Sequence, residues 1–176
     1  GTVTGLAYTS FGGDILQIEA TRFTGKGRLV LTGQLGDVMK ESASIALDYV
    51  RTHANEFKID PKLFEENDVH IHVPEGAVPK DGPSAGVTMT TALVSCFSNI
   101  PVKANLAMTG EVTLRGNVLP IGGLKEKSLA AHRSGIDTIL IPKENVKDLD
   151  DVPQEVKDAV TFIPCSNVSQ VLHNAL

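Results

Sequence analysis

The segment GVTMTTALVSCF at residues 86–97 is the feature that most constrains how this chain can fold. Its apolar side chains point to nearly every side of a helix, so a helix from Ser84 to about Ser98 must be covered on most of its faces. A chain of 176 residues, 41% of them hydrophobic, is long enough to provide that cover within one domain. We therefore predict a fold built around one buried helix.

The residues before this helix predict strands followed by one longer helix. β-forming residues cluster between glycines in a way that predicts three strands and a β-meander, with the first two strands joined at Gly12-Gly13. The strands are expected over Val3–Tyr8, Ile15–Arg22 and Arg28–Thr32. The apolar period then changes, which predicts a helix from Asp37 to about Phe57.

The rest of the chain continues to mix the two kinds of element. We expect a short helical turn in IDPKLFEEND, a strand at Val69–Val73, a loop from Pro74 to Pro83, two strands in NLAMTGEVTLRGNVLPIGG, a helix in GGLKEKSLAAHRSG, strands in DTILIP and VTFIP, and a last helix from about Val168. Strict alternation of strand and helix is absent. The predicted fold class is therefore α+β, with mixed sheets packed against helices.

Composition excludes several classes of protein. The net charge is −5 and the basic residues are scattered, so nucleic-acid binding is not expected. Cys96 and Cys165 lack the spacing of a zinc site or a redox pair and are interpreted as buried free thiols of a reducing compartment. No apolar run reaches the roughly 20 residues of a membrane span. The start GTVTGLAYTS has no initiator Met, which favours an excised part of a longer chain.

Ser84 stands at the point where the loop PKDGPSAGV meets the buried helix. Serine is a preferred N-cap residue, so a capping role explains its position. The alternative is a nucleophile, with the free backbone N–H groups beside it, such as that of Ala85, stabilising an oxyanion. The second role requires a base elsewhere in the chain.

Histidine is the usual base, and His70 and His72 are the most suggestive of the histidines. They lie at positions i and i+2 of one predicted strand and so face the same side. They could form half of a metal site, or one of them could complete a triad with Ser84 and Asp81. No further cluster of metal-ligating residues accompanies them.

Lys127 is the other candidate base. On a helical wheel it falls among the small apolar residues of LKEKSLAAHR, whereas Lys125, Glu126 and Arg133 occupy the opposite side. Such a lysine can reach water along the helix, or it can stay buried. Burial disfavours the charged amine and makes it a usable base near pH 7.

Three more residues are weaker candidates for supporting roles. Thr109 in MTGEVTLRG could orient a lysine amine, or it could simply close a turn before Gly110. Asp81 is either a turn former or a charge partner for Lys127. Glu19 is interpreted as a solvent-facing strand residue.

These motifs together resemble a known family. HIHVPEGAVPKDGPSAGVTMTTALVS, AMTGEVTLRGNVLPIGGLKEK and AAHRSGIDTILIPKEN closely resemble the proteolytic domain of Lon, the ATP-dependent protease, in its soluble bacterial class. The likeness covers essentially the whole chain. It implies the Lon proteolytic-domain fold, which is similar to domain 2 of ribosomal protein S5.

The resemblance also implies roles for individual residues. The family's nucleophilic serine falls on Ser84 and its lysine base on Lys127, so it implies a serine endopeptidase with a Ser-Lys dyad. The family's supporting threonine falls on Thr109. The histidine pair and the aspartate of the serine loop fall on His70, His72 and Asp81, with supporting roles and no proton transfer by histidine.

Cofactors and partners follow from the resemblance as well. A complete Lon chain carries an N-terminal substrate-binding region and an ATPase module, and it works as a cytoplasmic homo-hexamer on unfolded, misfolded or degron-bearing proteins. ATP and magnesium would belong to that module and no cofactor to residues 1–176, because FTGKG lacks the first glycine and the hydroxyl residue of a P-loop.

Two other kinds of function are compatible with parts of the sequence. A glycine-rich turn into a helix can bind phosphate, as in small-molecule kinases of similar fold. A catalytically silent assembly module is the other alternative. The first leaves Lys127 without a purpose, and the second does not explain why both motifs are intact.

Overall fold

The computed structural model describes residues 1–9, 12–75 and 80–176. Its strands are β1 (Thr2–Thr9), β2 (Gly12–Thr24), β3 (Leu29–Thr32), β4 (Asn67–His72), β5 (Leu106–Met108), β6 (Glu111–Val112), β7 (Val118–Leu119), β8 (Thr138–Pro142) and β9 (Thr161–Cys165). A seven-stranded sheet runs in the order β3-β4-β2-β1-β5-β8-β9, and β6 and β7 form a separate ribbon. Antiparallel and parallel pairs both occur in the large sheet. The predicted mixed sheet is confirmed.

The helices are α1 (Asp37–Thr52), α2 (Lys62–Glu66), α3 (Gly86–Ser98), α4 (Leu124–Arg133), α5 (Gln154–Ala159) and α6 (Val168–Ala175), with a 3₁₀ segment at Lys143–Asp151. Helix α5 was not predicted from the sequence. Residues 76–79 of the predicted loop Pro74–Pro83 lie outside the described residues. Within the described ranges, no helix combines the length and apolar character needed to cross a membrane.

β1 and β2 pair antiparallel as predicted, in register from Thr2↔Glu19 to Thr9↔Gly12. The predicted junction at Gly12-Gly13 is wrong, because both glycines lie within β2, opposite Thr9 and Tyr8. The predicted β-meander is wrong, because β3 pairs in parallel with β4, which separates it from β2. Asp68 at the start of β4 explains why the chain passes from β2 over β4 to reach β3. Its Oδ1 accepts hydrogen bonds from Lys26 N at 3.0 Å and Arg28 N at 2.8 Å. These backbone N–H groups, with the nearby Arg28 guanidinium, also lower the pKa of Asp68. These bonds hold the turn after β2 against the first residues of β4.

The sheet separates two apolar cores. Leu106, Met108 and Leu140 face one core together with residues of α1, α3 and α6. Ala107 and Ile139, which alternate with them along the strands, face a second core with residues of α4 and α5. This alternation follows from the two-residue period of a strand.

Helix α3 is buried almost throughout, as its sequence predicted. Thr90 and Thr91 are compatible with burial because they donate hydrogen bonds to Gly86 O and Val87 O, each at 2.8 Å, whereas the buried Thr88 hydroxyl has no partner among the described residues. Buried hydroxyls that bond the preceding turn carry a small desolvation cost.

Candidate active site

Ser84 and Lys127 line one cavity of about 630 Å³. Ser84 lies in the loop before α3, on one face of the sheet, and Lys127 lies in α4, on the other face. The chain that leaves β5 passes between them. The site is therefore assembled where both layers meet at the end of the sheet.

Lys127 is buried, with 2% of its surface exposed. Its Nζ donates a hydrogen bond to Thr109 Oγ1 at 3.1 Å, and no carboxylate in the described part of the chain pairs with it. Burial lowers its pKa from 10.5 to about 8, because desolvation disfavours the ammonium form. Of the two alternatives that the sequence left open for Lys127, burial is the one observed, and extension into water is not.

Thr109 and Gly110 connect this lysine to the serine loop. Thr109 is itself 1% exposed. Gly110 N donates to Ser84 O at 2.9 Å, and Gly110 O accepts from Val87 N at 3.0 Å. A side chain at Gly110 would collide with Val118 and Val87, since an added Cβ lies 2.8 and 3.0 Å from their methyl groups. Thr109 therefore holds the Lys127 amine of α4, and the next residue, Gly110, holds the serine loop before α3.

Ser84 does not cap α3, contrary to the capping geometry expected from the sequence. The helix begins at Gly86, its N-cap residue is Ala85, and no side chain makes a cap bond. Within the described ranges the Ser84 hydroxyl makes no hydrogen bond, including none to Lys127, and the backbone N–H groups of Ser84 and Ala85 are also unpaired. The hydroxyl is thus free to react, beside donors suited to an oxyanion.

Asp81 contacts α1 and not Lys127. Its Oδ1 accepts hydrogen bonds from Met39 N and from Gly82 N, both at 2.9 Å. The N-cap residue of α1 is Gly36, which has no side chain to cap the helix. The Asp81 carboxylate occupies the position of the missing side chain, with its carbon 2.3 Å from where a Gly36 Cβ would lie. The serine loop therefore caps α1 from outside, and the hypothesised charge pair with Lys127 does not form.

Lys80 fastens the same loop. Its Nζ donates to Gly33 O at 2.9 Å and to Glu75 O at 2.7 Å. Gly36 N donates to Lys80 O at 2.7 Å, and Lys80 N donates to Gln34 O at 3.0 Å. Residues 80 and 81 together bind the serine loop to the segment between β3 and α1.

His70 and His72 lie away from this cavity. Both rings share a hydrogen bond with Thr32 Oγ1, at 2.8 Å for His70, on the sheet face opposite α1 and α3. No group of ligating side chains that could hold a metal occurs in the part of the chain that the structure describes. A triad of Ser84, a histidine and Asp81 is therefore not formed. Glu19 is exposed, as expected.

The residues that shape the site without entering it were not predicted from the sequence. Gly110 sits inside a motif that drew attention only to Thr109. Asn145, buried at 2% exposure, bonds the chain at Ile121 on the cavity wall. A lone asparagine in IPKEN carries no signal of such a contact, because it depends on residues far away in sequence.

Comparison with known proteins gives one consistent result. The family model described as the Lon protease (S16) C-terminal proteolytic domain matches residues 1–176. The Lon protease of Brevibacillus choshinensis is 61% identical over 176 residues, which are 100% of this chain and 23% of that protein. Lon protease 1 of Bacillus subtilis is 59% identical over 176 residues, again 100% of this chain and 23% of that protein. The Lon protease of Bacillus thuringiensis (strain Al Hakam) is 61% identical over 100% of this chain and 22% of its own length. The chain thus spans less than a quarter of these relatives.

Proposed function

We propose, from the premise that this chain belongs to the Lon protease (S16) family as its C-terminal proteolytic domain, that it is a serine endopeptidase with Ser84 as nucleophile and Lys127 as general base. The observation that supports this assignment most strongly is the buried amine of Lys127, with a pKa of about 8, in the same cavity as an unbonded serine hydroxyl. A hydroxyl needs a base to become a nucleophile, and a neutral amine can serve as one.

The reaction begins when Lys127 Nζ takes the proton of Ser84 Oγ and Oγ bonds to the scissile carbonyl carbon. The N–H groups of Ser84 and Ala85 stabilise the negative oxygen of the tetrahedral intermediate. Lys127 then returns the proton to the departing amine as the C–N bond breaks. The same amine activates the water that hydrolyses the acyl-enzyme.

Proton transfer requires Oγ and Nζ to approach within about 3 Å. In the part of the chain that the structure describes, no competing bond holds the Ser84 hydroxyl, while Thr109 keeps the amine in place. Thr109 is a positioning residue here, since its hydroxyl accepts a hydrogen bond from Lys127 Nζ and so orients the amine.

At the level of the whole protein, we propose the activity that the relatives' name describes. The domain would serve an ATP-dependent protease, with ATP and magnesium bound by an ATPase module outside residues 1–176 and homo-hexameric assembly in the cytoplasm. Its substrates would be unfolded or degron-bearing proteins, including misfolded and regulatory ones. No part of the proposed peptide hydrolysis requires a metal or a cofactor among residues 1–176.

Two substitutions test the dyad in the full-length protein. Ser84→Ala and Lys127→Arg should each lower peptidase kcat by at least about a thousandfold while the fold is retained, because a guanidinium cannot act as a base. Lys125→Arg, on the exposed side of the same helix, and Ser134→Ala are matched controls that should keep full activity. The wild-type kcat/KM should rise with pH along a limb near 8.

Retained peptidase activity in either dyad variant would refute the assignment. Measurable nucleotide affinity of residues 1–176 would instead favour a phosphate-binding domain. Failure of the assembled protein to react with a serine-directed acylating probe would favour a silent assembly module.

A further inference from the structure

Asn145 makes a paired contact with the backbone of a single residue on the cavity wall. Its Oδ1 accepts from Ile121 N at 2.9 Å, and its Nδ2 donates to Ile121 O at 2.9 Å. These are the two bonds that a neighbouring antiparallel strand would make with Ile121. A buried side chain thus replaces a strand at this position.

The orientation of the Asn145 amide is fixed. Its second Nδ2 proton goes to Asp148 Oδ2 at 2.7 Å. Turning the amide over would set Nδ2 against the N–H of Ile121 and the carbonyl oxygen against Asp148, so both contacts would become repulsive. Asn145 therefore holds Ile121 in one specific position.

The residue after Ile121 has no such partner. Residues 120–123, here called the wall segment, line the cavity that contains Ser84 and Lys127. Among the described residues, neither the N–H nor the C=O of Gly122 makes a hydrogen bond. A Cβ added at Gly122 would meet nothing within 4 Å, and its φ is not in the left-handed region. Nothing among the described residues therefore requires a glycine at this point.

An unpaired backbone beside a reactive serine is suited to one kind of ligand, which is the main chain of a peptide. A side chain at residue 122 would stand in the space through which that peptide approaches. We propose that Asn145 is a positioning residue that holds the wall segment so that Gly122 can hydrogen-bond the substrate's main chain, and that it thereby sets the affinity for peptides. This inference rests on the proposed function of the site.

The role of Asn145 is separable from that of the dyad. Lys127 is positioned by Thr109, and its helix is packed into the second core through Leu124 and Ala131. Loss of the Asn145 contact leaves those interactions in place. Losing the Asn145 contact should therefore raise KM and leave kcat unchanged, because it weakens peptide binding equally in the ground state and the transition state.

The test uses Asn145→Ala and Asn145→Asp in the full-length protein. Each variant should raise KM for a fluorogenic peptide by about tenfold, the value of one or two lost hydrogen bonds. The kcat, the pH limb near 8 and the rate of labelling by a fluorophosphonate, which reaches Ser84 without a peptide chain, should all stay within about twofold of wild type. Asn174→Asp is the matched control, since Asn174 Nδ2 also donates to a backbone carbonyl, that of Gln170, but lies outside the cavity lining.

A folded Asn145 variant with wild-type KM overturns the proposal. So does a parallel loss of kcat and labelling, because that pattern marks a general structural role. If Asn145 variants fail to fold, Gly122→Ala takes their place: the fold tolerates the added methyl group, and an unchanged KM in that variant overturns the proposal. Absence of labelling in the wild-type protein would instead refute the proposed dyad itself.

Discussion

Lys127 carries an amine into a part of the molecule where its neighbours on the helix are Leu124, Ala130 and Ala131. One neutral hydroxyl, that of Thr109, is the hydrogen-bond partner recorded for it in the described residues. An ammonium ion in this position lacks the water that stabilises it in the unfolded chain. The residue that is best suited to act as a base is thus poorly suited to stabilise the fold.

This cost predicts a pH-dependent gain in stability for Lys127→Met. The folded pKa of Lys127 is about 8, against 10.5 for an ordinary lysine. Below pH 8 the amine is protonated in both states, so the folded protein bears the whole penalty of a buried charge. Between pH 8 and 10.5 the unfolded chain binds the extra proton, and the wild-type free energy of unfolding rises with pH.

Lys127→Met should therefore be more stable than wild type by about 2 kcal/mol at pH 7, with a smaller difference at pH 10. Urea unfolding at the two pH values measures both quantities. Lys125→Met, at an exposed position of α4, should show neither effect. Equal stability of wild type and Lys127→Met at pH 7 would contradict the assigned pKa.

At the residue scale, the sequence was informative where a local pattern fixed the environment. The helical wheel placed Lys127 within the apolar arc, because all residues that define that arc lie within one helix, but it left open whether the amine is buried or reaches water. Asp81 could not be placed in this way, because its partner is the backbone of Met39 and the contact exists only after α1 has packed beside the serine loop. Asn145 is a similar case, since its partner lies 24 residues earlier.

At the scale of elements, the serine loop and α1 depend on each other. Helix α1 begins after Gly36, which cannot cap it, and Asp81 supplies the missing acceptor from the loop that carries Ser84. A carboxylate at a helix N-terminus also interacts favourably with the helix dipole. The start of α1 is thus part of what positions Ser84, the proposed nucleophile.

Asp81→Ala should lower the free energy of unfolding by about 1 kcal/mol, the usual cost of losing an N-terminal cap. It should also lower kcat, because the loop loses its attachment to Met39 N. Asp37→Ala is the control: Asp37 is an exposed acid in the first turn of the same helix, so its loss should cost some stability and leave kcat unchanged. Thermal unfolding and peptide hydrolysis measure the two effects separately. Full activity in Asp81→Ala would show that the loop is held by other contacts.

Helices and strands that are defined by local periodicity were predicted well. The positions of strands that depend on pairing with a distant strand were predicted poorly. Helix α3 and the β1–β2 hairpin were expected from apolar period and from glycines. The position of β3 in the sheet was not predicted, because a run of β-forming residues does not show which strand it pairs with. The hydrogen bonds that decide the pairing come from Asp68, which is distant in sequence. Short α5, with one apolar residue buried, offers too little periodicity to be recognised.

At the scale of the whole molecule, the site depends on how two layers are packed across one sheet. Ser84 belongs to the layer of α1 and α3, and Lys127 to the layer of α4. The β1–β2 hairpin touches the second layer directly: a Cβ at Gly13 would lie 2.0 Å from Glu126 O and 2.9 Å from Lys127 N. The close contact between the β1–β2 hairpin and α4 therefore fixes the distance of Lys127 from the sheet.

Gly13→Ala should displace α4 and separate the dyad. We expect a loss of about 2 kcal/mol in stability from overpacking and at least about a tenfold loss in kcat. Gly12→Ala provides the contrast on the same hairpin, since its φ of 112° strains an alanine but its Cβ would meet nothing within 4 Å. That variant should lose stability and keep its kcat. Equal kcat values for the two variants would argue against control of the dyad by the hairpin.

No sequence pattern predicted this arrangement, since the two halves of the proposed dyad are brought together by long-range packing and not by spacing. The family resemblance supplied the pairing of Ser84 with Lys127, and the physical reason for it is the strand order. β5 lies beside β1, and the residues that follow it are the ones that contact both layers.

The strand order has a mechanical consequence. β1 begins at Thr2 and lies in the interior of the sheet, between β2 and β5, with Gly1 O accepting from Ala20 N at 2.7 Å. Tension applied to Gly1 along the strand would load the bonds to β2 in shear, all of them at once, because ladder hydrogen bonds stand perpendicular to the strand. Tension applied at Leu176 would act on α6, an eight-residue helix whose buried side chains pack into the core shared with α1 and α3. We expect the amino-terminal end, held by a strand ladder, to resist tension better than the carboxyl-terminal end, held by the packing of one short helix.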